Sequence, residues 1–206
     1  MAGSDVFSTH VLSSDIAAAD PNGVCTAQTT GGAANLTLDG ALTDGGVATL
    51  VPARNATITS AGSAETGKTF TFTGTDANGN AVTEAISGPG SSATVSTTNV
   101  FKTITQIAVD GALTGNVTVG SGTTVSETIF AGRARIRGIY FVNTNNAGPL
   151  AFKSGNNGDT VMTLQTTGTQ NTADYPDIPD EGILCANGVF VNFLAADVAA
   201  FTVFYN

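Results

Sequence analysis

The chain has no tryptophan, one histidine and two cysteines in 206 residues, and lysine and arginine together number only seven. Each shortage removes a class of chemistry. With His10 alone, a metal site built on several histidines is impossible, and no His-based triad with a folded nucleophile is evident. Cys25 and Cys185 lack the spacing of a zinc or redox motif. Two buried free thiols fit them better than a disulfide, although spacing alone leaves both open. Seven basic groups against sixteen acidic ones give a net charge of -9, so neither nucleic acid nor an anionic membrane is an expected partner. Charged residues of both signs reach only 11%, unlike a lysine- and glutamate-rich helical or disordered chain. No apolar run approaches the ~20 residues that span a membrane. Met1-Ala2-Gly3-Ser4-Asp5 does not open a secretory signal, so a soluble protein made in the cytoplasm is expected. No serine sits in a Gly-x-Ser-x-Gly elbow, and no glycine loop leads into a helix that could hold phosphate. The expectation is a non-enzyme with no cofactor and no metal.

What the chain does have is short Val, Ile, Phe and Leu runs among Thr, Gly, Ala, Ser and Asn, with 41% hydrophobic residues in all. β-Branched and aromatic side chains suit a pleated, half-buried surface, and frequent glycines supply turns. Thr69-Phe70-Thr71-Phe72-Thr73 is the cleanest alternation, with phenylalanines on one face and threonines on the other. Asp76-Ala77-Asn78-Gly79-Asn80 follows at once, and Asn-Gly between alternating runs is a strong hairpin signal. Val47–Val51, Asn55–Ser60, Val100–Val109 and Asn116–Gly120 read as further strands. Arg133–Val142, Leu150–Phe152 and Val161–Leu164 extend the series, with a second turn at Asn156–Asp159. Val189–Leu194 and Phe201–Tyr205 are apolar enough to be central strands that anchor the end of the chain.

Two stretches break this pattern. Val11–Asp20 suits one or two helical turns stopped by Pro21-Asn22-Gly23, within a lead-in arm or a partly ordered terminus. Ser121-Gly122-Thr123-Thr124 is small, polar and turn-rich, which makes it the expected boundary. The fold class expected is therefore all-β. Two antiparallel β-sandwich domains, Ig-like or jelly-roll-like, span 35–124 and 125–206 after an N-terminal arm over 1–34.

Arg133, Arg135 and Arg137 hold three of the seven basic groups, and their period-two spacing puts them on one side of a strand. One reading is a solvated edge that blocks aggregation. The other is a docking stripe for an acidic surface. The segment Asp174–Glu181 offers Asp174, Asp177, Asp180 and Glu181, to oppose the arginines within the chain or from a neighbouring copy. Pro176 and Pro179 exclude that segment from a central strand. Asp76-x-Asn78-x-Asn80 looks like the start of a calcium loop, but Ala81 and Ser87 stand where glycine and glutamate are needed, so a hairpin turn explains it. The glycosylation patterns at Asn35 and Asn55 read as chance matches.

Several of these segments together resemble virion proteins of tailed bacteriophages. Asn35–Gly40, Val47–Leu50, Ala56–Gly62, Thr69–Asp76, Glu84–Gly88, Phe101–Ile104 and Gly115–Gly120 are similar to one module of such proteins. Arg135–Tyr140, Pro179–Ile183 and Phe201–Tyr205 are similar to a second. The resemblance implies a structural component with no catalytic residues. Its leading form is a capsid decoration (cement) protein on the outer head surface, made in the bacterial host cytoplasm. Its implied partners are the major capsid protein and copies of itself. The type of particle, and no residue pattern, implies the homo-oligomer, for instance a trimer. The alternative is a tail or adsorption protein that binds a host-surface glycan or another tail protein. That form calls for clustered exposed aromatics, which the lack of tryptophan and a total of three tyrosines disfavour.

Overall fold

The computed structural model describes residues 5–206. The strands, in chain order, begin with β1 (Phe7–Leu12), β2 (Cys25–Gln28), β3 (Ala34–Asn35) and β4 (Thr43–Asp44). β5 (Val47–Ser60), β6 (Thr69–Thr75), β7 (Ala81–Ser87), β8 (Thr94–Val109) and β9 (Val117–Phe130) follow. The remainder are β10 (Ala134–Asn143), β11 (Pro149–Ser154), β12 (Asp159–Gln165), β13 (Ala173–Asp174), β14 (Ile183–Cys185), β15 (Val189–Leu194) and β16 (Val198–Tyr205). Among the described residues the only helix is a single 3-10 turn at Ser13–Asp15, and none is long and apolar enough to cross a membrane. The protein is all-β, and its strand pairs are antiparallel.

The chain forms two compact units. A central unit comprises Ala18–Thr123, and a terminal unit combines the described residues up to Ala17 with Thr124–Asn206. The segment read as an arm is thus shared: β1 belongs to the terminal unit and β2 to the central one. Of the one or two helical turns read in Val11–Asp20, one is present, the 3-10 turn at Ser13–Asp15. Val11 and Leu12 close a strand that pairs residue by residue with β16, from Phe7 opposite Tyr205 to Leu12 opposite Ala200.

The division falls inside β9, where the sequence suggested a turn. Ser121–Thr124 is extended because its small residues admit neighbours. A Cβ at Gly120 would lie 2.0 Å from the Asp20 carbonyl oxygen, and one at Gly122 would lie 2.2 Å from Asn55 Oδ1. Ser121 is gripped on both sides, its N–H donating to Asp20 O and its Oγ accepting from Asp20 N. Val47–Val51 and Asn55–Ser60 likewise merge into the single strand β5, with an irregular register against β8 between Thr49 and Arg54.

In the central unit the order β5-β8-β6-β7 carries the expected hairpin, with Thr75 opposite Ala81 and Thr69 opposite Ser87. Asp76 closes its turn. Its Oδ1 accepts from the backbone N–H of Asn78 and Asn80 at 2.8 and 2.9 Å, and its Oδ2 accepts from Asn80 Nδ2. The carboxylate that suggested a cation loop is engaged by the turn itself. Phe70, Phe72, Phe101, Ile104 and Ile107 fill the core with Leu50, Val24 and Cys25. Burying each phenylalanine contributes about 1.5–3 kcal/mol.

The terminal unit has two sheet layers over one core. One layer is β1-β16-β10, with β13 and β14 both on the far edge of β10. The other is β12-β11-β15 and the last half of β9. Ile139, Phe141, Phe201 and Val203 from the first meet Leu150, Phe152, Val191 and Phe193 from the second. Phe193 and Phe201 touch edge-on, with centroids 5.1 Å apart and planes at 85°. This is the geometry their ring quadrupoles favour.

Candidate interaction surface

All three candidate arginines and all four candidate carboxylates lie in the terminal unit, around β10. Ala134, Ile136 and Ile139 turn into the core, so Arg135 and Arg137 face outward. Arg133 stands one residue before the strand and is exposed. A register shift against β16 between Ile136 and Gly138 ends the simple alternation there. The stripe therefore comprises two strand residues and one in the preceding bend.

The acidic segment runs antiparallel beside β10 and leaves it in the middle. β13 pairs Asp174 with Phe141, and β14 pairs Ile183 with Ile136. Between these two pairings Pro176 and Pro179 interrupt the edge, since a proline has no N–H to give a ladder. The Gly182 N–H returns to the Pro179 carbonyl at 2.7 Å. Gly182 itself has φ +68, and a Cβ there would lie 2.6 Å from the Ile136 carbonyl oxygen, so glycine is required.

The contact between arginines and segment differs from the expected ion pairing. Arg135 Nη1 donates to the backbone carbonyls of Glu181 and Gly182, at 3.0 and 3.3 Å, rather than to a carboxylate. Asp174 accepts from Asn143 Nδ2 instead, at 2.7 Å. Asp177, Asp180 and Glu181 are exposed and project from the broken edge.

The sequence reading missed the aromatic part of this surface. Phe7 and Phe130 are 58% and 42% exposed, and both lie against Tyr205. Phe130 stacks on Tyr205 with centroids 5.3 Å apart, and Phe7 tilts against it at 6.1 Å. With Arg133 and Asn206 these rings line a cleft of about 280 Å³. Exposed apolar rings grouped in one place, unlike ones scattered singly, make this cleft the candidate contact surface.

A second cleft, also about 280 Å³, lies along the acidic edge between Phe141, Leu164, Gln165, Thr167, Asp174, Tyr175 and Pro176. Tyr175 is the most exposed large apolar residue described, at 66%. Its hydroxyl lies over Gly138, where a Cβ would approach it to 2.8 Å, so the glycine makes room for the ring. Asp174 is aimed by Asn143, which is fully buried. Asn143 Nδ2 also donates to Thr172 O and Oγ1, while its Oδ1 accepts from Thr167 N. The available signal was that Tyr140, Tyr175 and Tyr205, the three tyrosines, all fall after residue 124.

Among the described residues no three His, Cys, Asp or Glu side chains are grouped as metal ligands would be. His10 is on β1, with its Nδ1 2.8 Å from Thr202 Oγ1. Cys25 and Cys185 are free and buried in different units. No family model, curated protein or solved structure matches the chain.

Proposed function

We propose that this chain is a structural protein of a tailed-phage particle, and specifically a decoration protein that binds the outer head shell and bridges capsid subunits. The observation that carries the reading is the apolar cleft of Phe7, Phe130 and Tyr205 with Arg133 at its edge. Exposed phenylalanines are stabilised by a partner that removes them from water, at about 25 cal/mol per Å² of apolar area covered. The resemblance of the β segments to phage virion modules supplies the setting, and we read both units as sandwiches of that kind. The partners are the major capsid protein and further copies of this chain. A standard interface of ~1,600 Å² in each of many copies would raise shell stability by mass action and avidity.

Quantitative mass spectrometry of purified particles tests the location. Hundreds of copies per particle support the shell, and a handful remove that reading. Heads lacking the protein should also break at lower temperature or in osmotic shock; heads as robust as wild type contradict cementing.

A second reading, a tail or adsorption protein that binds a host-surface glycan, is favoured by one observation. Tyr175 is a loop aromatic with an open face beside a fixed carboxylate.

A further inference from the structure

The cleft beside Tyr175 combines features that suit a small polar ligand better than a protein surface. Its lining is apolar at Phe141, Leu164 and Pro176 and polar at Gln165, Thr167 and Asp174. Among the described residues only one oxygen of Asp174 is used. Oδ2 accepts from Asn143 Nδ2, and among the described residues Oδ1 accepts no hydrogen bond. The buried Asn143 network therefore holds a carboxylate in place with one acceptor open. Gln165 and Thr167 are exposed and offer an amide and a hydroxyl at the same opening.

We propose that this cleft binds a neutral sugar ring. A pyranose has an apolar face of C–H groups, which an exposed aromatic ring stacks against, and a rim of hydroxyls. Those hydroxyls donate to a carboxylate through short, charge-assisted bonds and exchange bonds with an amide and a hydroxyl. Tyr175 supplies the stacking ring, Asp174 the carboxylate, and Gln165 and Thr167 the remaining partners. The volume of about 280 Å³ has room for one ring and is near the lower bound of about 300 Å³ for small-molecule sites. Charge selects within the class. Asp177, Asp180 and Glu181 follow in the same segment, and the chain carries a net -9, so an acidic sugar is repelled. This inference deepens the second reading and rests on it for the biological source of the sugar. The two fail separately, because copy number decides location and a sugar titration decides the cleft.

The test is NMR of the full chain titrated with glucose, galactose, mannose, rhamnose and N-acetylglucosamine, with glucuronic acid as the acidic control. Each is taken to about 50 mM, well above the ~1 mM dissociation constant that so open a site allows. The expected result is that at least one neutral sugar moves the Tyr175 ring and Asp174 amide signals, with the Tyr205 ring unmoved. Tyr175→Ala and Asp174→Asn, both at accessible positions, should each weaken that binding about tenfold or more, which is ~1.4 kcal/mol. Folding of each variant is checked by its amide spectrum. Asp174→Glu, which keeps the carboxylate, should recover part of the loss. No movement at Tyr175 and Asp174 with any of the five sugars overturns the proposal. So do shifts centred on Phe7, Phe130 and Tyr205, and so does tighter binding of glucuronic acid.

Discussion

Asn143 Nδ2 donates to Asp174 Oδ2 across 2.7 Å, joining a side chain with no exposure to one at the rim of a cleft. Asn143→Leu removes that donor, both bonds to Thr172 and the acceptor for Thr167 N. Buried groups stripped of partners cost about 1–3 kcal/mol each, and a network loses more than one. The variant should lose about 2–4 kcal/mol in urea unfolding. Amide exchange should quicken first at Ala173–Asp174. A loss under about 0.5 kcal/mol, within the range of an ordinary surface change, would show that water replaces the network.

Glu65 performs a similar task in the central unit. It is 1% exposed, and its carboxylate accepts from the backbone N–H of Thr114 and Gly115 at 2.8 Å each. Glu65→Ala should destabilise by about 2–4 kcal/mol, because two amides lose a charged acceptor. Glu65→Gln keeps one acceptor oxygen and should lose less. Chemical denaturation of the two variants checks the order, and a Gln variant as damaged as Ala refutes it.

Burial pushes the Cys25 thiol up to about 12, with the Asp39 carboxylate adding to the rise, and burial also raises Cys185. Thiolate is the reactive form, so both cysteines should resist a thiol reagent at pH 8. In rising urea their labelling should follow global unfolding. Rapid labelling of either cysteine in the native protein contradicts this.

Asp39 and Asp110 set an acid limit on the central unit. The Thr26 backbone N–H and hydroxyl both donate to Asp39 at 2.8 Å, holding its carboxyl below the usual range. The Thr69 backbone N–H does the same for Asp110, helped by the Thr69 hydroxyl and by Lys68. A folded pKa below the unfolded one stabilises above the unfolded value of about 4. That contribution is lost as pH falls through the folded pKa. The urea midpoint should fall as pH drops below about 4. Asp39→Asn with Asp110→Asn should flatten the dependence; parallel curves for the two proteins exclude these groups as its source.

Under the proposed function, replacing the three arginines tests assembly apart from folding. Serine at positions 133, 135 and 137 together should cost about 1 kcal/mol of stability, from the carbonyl bonds of Arg135. Attachment to particles that lack the protein should weaken, and most at low salt, where exposed charges act furthest. Attachment equal to wild type at every salt concentration leaves the arginines as a solvated edge.

Much of the local structure was legible because it depends on neighbours in sequence. Thr69–Thr73 alternates with period two and lies with both phenylalanines buried. Asp76 makes the turn through its carboxylate, and Gly79 through a φ of 82 that glycine adopts freely. The misplaced boundary has a simple cause, which is that small residues have two uses. Gly122, within Ser121–Thr124, looked like part of a turn and instead sits in β9, where Asn55 comes close. The composition could not distinguish a glycine that bends the chain from one that admits Asp20 or Asn55.

The sequence by itself determined that the strands exist, where the short hairpins close and that no metal site can be built on several histidines of this chain. Those properties follow from side-chain alternation, turn preference and residue count. Tertiary structure decided the pairing of β1 with β16, residues 7–12 with residues 200–205. It also decided that Arg135 meets the carbonyls of Glu181 and Gly182 while Asp174 meets Asn143, and that Phe7, Phe130 and Tyr205 form one cleft. Each of these joins residues far apart in the chain. Their contact depends on which sheet edges remain open once the core has packed, and period-two patterning carries no information about that.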